Sequence, residues 1–196
     1  IEHCTITGNQ FSQIGGTAIM IGSFAESPRE AHRPYTMLAD QCHDITICRN
    51  TIQNATTEDW GTVAIGCGYV KNTTICHNTV NHVNYSGICI GWGWTALLTG
   101  MQNNHIIENS VTDYARQLYD AGGIYTLSNQ PGSSIKNNTI GRPHPAPYAT
   151  NNRGFCIYLD AKTDGFTIEG NTTDGRSIKK IEIGYNQPGK NLIIKN

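Results

Sequence analysis

Apolar and polar positions along this chain keep one beat: an isoleucine, two intervening residues, then an asparagine. The beat runs from Ile6 to Asn9, Ile47 to Asn50, Ile75 to Asn78, Ile106 to Asn109, Ile135 to Asn138, Ile168 to Asn171 and Ile193 to Asn196. The asparagines are 41, 28, 31, 29, 33 and 25 residues apart. Two places after each of the first five comes an apolar residue: Phe11, Ile52, Val80, Val111 and Ile140. Most repeats then carry a second short apolar run, at 17–22, 62–66, 87–91, 123–127, 155–159 and 181–184. Alternating strands of this kind cannot bury their apolar face alone, but stacked about 4.8 Å apart they can. The pattern predicts an all-β chain, a right-handed parallel β-helix built as a single-stranded solenoid of about six to seven coils. Asparagine is expected in the left-handed conformation at one corner, its amides stacking into a ladder.

The repeat fills residues 1–196, which predicts one domain. Both ends fall inside the pattern, so the chain reads as truncated at each. The long first step holds an insertion at about 23–43, rich in Pro and charge, and further loops are expected at 112–119 and 141–152. Insertions project from the corners of stacked repeats and often build a binding face.

Charge is close to balanced, 14 Lys and Arg against 15 Asp and Glu, without long runs of either sign. That gives no footprint for nucleic acid or an anionic membrane, and no apolar run reaches the roughly 18 residues of a membrane span. The seven cysteines form no Cys-x-x-Cys pair, and His77, His82 and His105 lack ligand spacing, so no metal or cofactor is expected. Cys48 and Cys76 share one repeat position and should lie one step apart on the outside, reduced. The Asn-x-Ser/Thr sequons follow from the Asn-Thr-rich repeat itself.

Candidate chemistry concentrates in three successive repeats. Trp92 and Trp94 alternate with Gly91 and Gly93, and two such rings cannot both enter a narrow apolar interior. An outward Trp suits the apolar C–H face of a sugar ring, although packing under the 112–119 loop would also use it. Asp120 precedes Gly122 and Gly123, which allow close approach of backbone or substrate, and Asp160 ends a strand. Paired carboxylates are the equipment of glycoside hydrolysis, one as acid and the other as base or nucleophile. Aspartate also caps strands for turn reasons.

The runs 85–94, 120–132 and Tyr158–Asp160 resemble glycoside hydrolase family 141, which includes fucosidases and xylanases acting on complex plant polysaccharides. The resemblance is strongest over 75–170. It implies Asp120 and Asp160 as the catalytic pair. Because Asp120, Asp160, Trp92, Trp94, Tyr125 and Tyr158 interrupt three successive repeats at related places, they are expected to line one groove on the outer face, with Asn129 and Gln130 as further substrate-binding residues. The resemblance implies a carbohydrate substrate and a secreted or periplasmic protein, and leaves the oligomeric state open. The sequence departs from the family at Ala121, where a glycine is expected, and after Asp160, where an acidic stretch is expected. The alternatives are a non-catalytic carbohydrate-binding or adhesive module, and a lyase or epimerase, which would want a concentrated acidic face that the sequence lacks.

Overall fold

The computed structural model describes residues 1–24, 41–149 and 153–195. Among these, strands fall into three sheets of seven, seven and six. The first sheet comprises Glu2–Thr7, Cys42–Cys48, Val70–Cys76, His105–Ile107, Asn129–Lys136, Asp164–Glu169 and Ile193–Lys195. The second comprises Gln10–Ile14, Thr51–Ala55, Thr79–Val83, Ser110–Thr112, Thr139–Ile140, Thr172–Thr173 and Arg176–Ser177. The third comprises Ile19–Ile21, Ile65–Cys67, Ile88–Ile90, Ala121–Thr126, Gly154–Leu159 and Ile183–Tyr185. All neighbours pair in parallel except Thr172–Thr173 with Arg176–Ser177, which run antiparallel. A 3-10 turn spans Lys180–Glu182.

The expected right-handed β-helix, a single-stranded solenoid of six to seven coils, is corrected by this topology. The strands separate into three distinct parallel sheets, and the second ends in an antiparallel pair. The physical reason is that the corner at each repeat asparagine ends one strand and starts another in a different sheet, and the later apolar run of each repeat pairs into a third. The residue before each repeat asparagine is left-handed: φ is 69° at Gly8, 57° at Arg49, 52° at His77, 56° at Glu108, 54° at Asn137 and 66° at Gly170. The left-handed residue is therefore one place earlier than expected, and it bends the chain between the isoleucine and the apolar residue after the asparagine.

The bend aims each asparagine along the stack. The Asn50 amide donates to the Asn78 carbonyl oxygen at 2.9 Å, Asn78 to Asn109 at 2.9 Å, Asn109 to Asn138 at 3.0 Å and Asn138 to Asn171 at 2.9 Å. Each of these oxygens also accepts the preceding asparagine's backbone N–H, and these five side chains are buried. The ladder satisfies corner donors that would each cost about 1–3 kcal/mol if left dry and unpaired.

Three in-register columns fill the interior. Ile47, Ile75, Ile106, Ile135 and Ile168 stack in the first sheet. Ile52, Val80, Val111 and Ile140 do so in the second, and Ile65, Ile88, Ile124, Ile157 and Ile183 in the third. All are buried, each contributing about 1.5–3 kcal/mol of burial relative to an exposed side chain.

Cys48 and Cys76 pair in register with Cα atoms 4.6 Å apart, and they form a disulfide. The expectation that they stay reduced is thus corrected: ladder spacing brings the Cα atoms within disulfide range. Most of the 23–43 insertion lies outside the described residues, as do the end of the 141–152 loop and Asn196.

Candidate active site

The outward face of the third sheet breaks the repetition seen elsewhere. Its in-register column reads Met20, Gly66, Cys89, Tyr125, Tyr158 and Gly184. Large aromatic residues stand in two neighbouring repeats and small ones on either side. The Tyr125 and Tyr158 rings pack edge to face, with centroids 5.2 Å apart. Their hydroxyls part to different carboxylates: Tyr125 donates to Asp160, and Tyr158 donates to Asp120 at 3.0 Å.

Asp160 directly follows its strand and is buried, 5% exposed. A buried carboxylate needs donors, and it has two: Tyr125 on one oxygen and the Asn186 amide on the other at 2.6 Å. Asp120 directly precedes its strand in a left-handed conformation, φ 60°, which Asp tolerates better than most residues. Its backbone carbonyl accepts the Tyr85 hydroxyl at 3.0 Å, and the Arg153 guanidinium lies 3.8 Å from its carboxylate.

Ala121 pairs with Gly154 and Thr126 with Leu159, so the two aspartates leave neighbouring strands from opposite ends. Side chains bridge the gap. Burial first, then Cys89 for Tyr85, and then the negative charge of both aspartates, pushes the Tyr85 and Tyr158 hydroxyls well above the usual phenol range. Each phenol thus lies in the field of both carboxylates. Tyr125 is pushed up further, by burial, by its proximity to Tyr85 and by its bond to Asp160. All three phenols stay protonated and serve as fixed donors.

Beside this group is a cavity of about 400 Å³ whose walls include Trp92, Trp94, Tyr85, Tyr125, Cys89 and Met20. The Trp rings meet at 4.5 Å, and Phe24 packs on Trp92 at 5.0 Å. Gly91 makes the approach: its φ is 100°, and a Cβ there would run into the Leu127 carbonyl and the Gln130 amide. The Trp92 indole N–H is buried and has no acceptor among the described residues. The Cys89 thiol is pushed up to about 12, mostly by burial and then by Asp160, so it is a neutral wall residue.

Asn129 and Gln130 stand apart from this group. Gln130 is fully buried, with its amide donating to the Ile90 and Leu127 carbonyls and its oxygen accepting from Asn104. Its side chain is thus held by the frame and does not line the aromatic-walled cavity. Asn129 donates to the Ala96 carbonyl and lines a separate cavity with Leu98 and Asn191. Tyr125 and Tyr158 are nearly buried and hold the aspartates. Sequence reasoning missed Tyr85, Arg153 and Asn186. Asn186 follows Tyr185, which pairs with Leu159, so it occupies the register position of Asp160 one repeat later.

The chain matches no family model and no curated protein. A solved structure described as a glycoside hydrolase superposes on it with a TM-score of 0.91 and 33% sequence identity. The match covers 98% of this chain and 32% of that one, so the chain spans about a third of that protein's length. The three-sheet architecture is thus a glycoside hydrolase-like fold.

Proposed function

We propose that the chain carries the carbohydrate-active centre of a glycoside hydrolase, with Asp120 and Asp160 as its working carboxylates. The observation that carries this reading is their shared bracing by the stacked Tyr125–Tyr158 pair beside an aromatic-walled cavity. Likeness to a glycoside hydrolase structure at 33% identity supports it.

In this reading a sugar stacks on Trp92 or Trp94. One aspartate protonates the glycosidic oxygen as the C–O bond breaks. The other attacks the anomeric carbon or takes a proton from the water that does. The phenols, which hold their protons, fix both carboxylates in orientation. The resemblance to family 141 extends the proposal to complex plant cell-wall polysaccharides. A secreted or periplasmic location fits the Cys48–Cys76 disulfide, a bond that persists in oxidising compartments.

The test is hydrolysis of cell-wall oligosaccharides by the protein and by its Asp120→Asn and Asp160→Asn variants. Each substitution should lower kcat by roughly a thousandfold or more and leave substrate affinity within a few fold. Full turnover in either variant removes that aspartate from the chemistry. Lost binding in both, with no hydrolysis by the parent protein, supports a binding module instead.

A further inference from the structure

A second cavity, of about 200 Å³, opens beside the segment that leads into Asp120. Its walls include Tyr119, Pro143, His144, Ala146, Arg153 and Gly154, so it lies between the segment before Asp120 and the loop after Gly141. Strand pairing sets the position of Arg153. Gly154 pairs with Ala121, and the Ala121 N–H donates to the Arg153 carbonyl at 3.0 Å, which sets Arg153 beside Asp120 one repeat away. The Arg153 side chain is 58% exposed, and its ion pair is a single nitrogen 3.8 Å from one Asp120 oxygen. A guanidinium carries five donors in a planar fork, so most of this one remains open to a ligand.

The other polar group of this wall is already engaged. His144 Nε2 contacts Asp113 at 2.5 Å, and Asp113 also pairs with Arg116 and His82. Burial works against the charge of Asp113, but the hydrogen bond from Arg116 and the charges of Arg116, His144 and His82 outweigh it and hold the carboxyl below its usual range. That cluster fixes the loop and leaves Arg153 as the charged group that a ligand meets. Tyr119, Pro143 and Ala146 supply the apolar surface on which the C–H face of a sugar can lie.

We infer that this cavity is a subsite for a uronic acid, its carboxylate read by the Arg153 guanidinium, in the sugar next to the bond presented to Asp120. The inference rests on the proposed role of Asp120 only for the word "next"; recognition of the acid is a matter of Arg153 alone. A neutral sugar would leave the fork without a matching partner, whereas a carboxylate fits it in a bidentate manner.

The experiment is calorimetric titration of the Asp160→Asn protein, which should bind without turnover. The probes are trigalacturonic acid and a glucuronic acid-substituted xylotriose, each against its carboxyl-reduced counterpart. At least one acidic probe should bind roughly ten- to a hundredfold tighter than its reduced form, the range a charged hydrogen-bonded pair supports. In Arg153→Gln that ratio should fall to within about threefold, and Arg153→Lys, which keeps the charge and loses the fork, should fall between. Equal affinity for acidic and reduced probes, no binding of any probe, or a preference that survives in both Arg153 variants overturns the inference. Because the readout is binding, failure of the parent protein to hydrolyse any glycan would remove the catalytic reading and leave this one intact.

Discussion

The asparagine corner and the outward face of the third sheet are built by the same repeat and follow opposite rules. At the corner one residue type recurs in six successive repeats, and the amides of the first five each find a partner in the next. On the third sheet the equivalent column changes in most repeats, from Met20 through Gly66 and Cys89 to Tyr125, Tyr158 and Gly184. Repetition serves the stack, since identical neighbours give identical hydrogen bonds along the axis. Departure from repetition is where the two aspartates, three phenols and two indoles gather. In a molecule whose frame is periodic, aperiodic residues at one register position are the place to look for function.

The comparison can be broken first at the corner. Asn109 donates to the Ile75 and Asn138 oxygens and accepts from both the backbone and the side chain of Asn78. Asn109→Ala leaves several buried groups unpaired and should cost about 3–5 kcal/mol in urea unfolding. Asn9, at the exposed end, should cost about 1 kcal/mol or less when changed to Ala. Equal costs at the two positions would mean that the ladder does not act through burial.

A smaller effect sharpens the other side. Tyr125→Phe removes one of two donors to Asp160, and should lower kcat by roughly ten- to a hundredfold with KM within about threefold. A change in KM alone would place Tyr125 in substrate binding instead. The smallest effect concerns neither region. Arg176 bonds Glu182, and its hydrogen bond lowers the Glu182 carboxyl from the ordinary 4.5 to about 2 despite some desolvation. A depressed carboxyl adds stability above its unfolded value and loses it as pH falls toward the folded one. Melting temperature should therefore drop by a few degrees between pH 4.5 and 2 more steeply in the parent than in Glu182→Gln. Parallel curves would discount the pair.

What could be read in advance follows the same division. The inward isoleucines and the asparagine ladder are periodic, so spacing alone located them. The corner was legible to within one residue, but its exact place was not, because the left-handed residue is Gly8, Asn137 or Gly170 in some repeats and Arg49, His77 or Glu108, which carry no turn signal, in others. Trp92, Trp94, Asp120 and Asp160 stood out against the repeat. Arg153 and Asn186 did not, since an arginine in a loop and an asparagine after a strand are ordinary until pairing sets them beside the aspartates. The burial of Gln130 was not legible either, since its amide meets the Ile90 and Leu127 carbonyls behind Gly91 only once the repeats stack.

The central claim is that frame and site are separable, and one paired measurement tests it: melting temperature and kcat for Asn109→Ala and Asp160→Asn side by side. Asp160 is a buried carboxylate held by neutral donors, so neutralising it should leave the melting temperature unchanged or raise it while turnover falls by roughly a thousandfold. Asn109→Ala should melt at least about 8 °C lower and, while folded, turn over within a few fold of the parent. A large fall in melting temperature for Asp160→Asn with turnover retained, or loss of turnover in folded Asn109→Ala, would contradict the account.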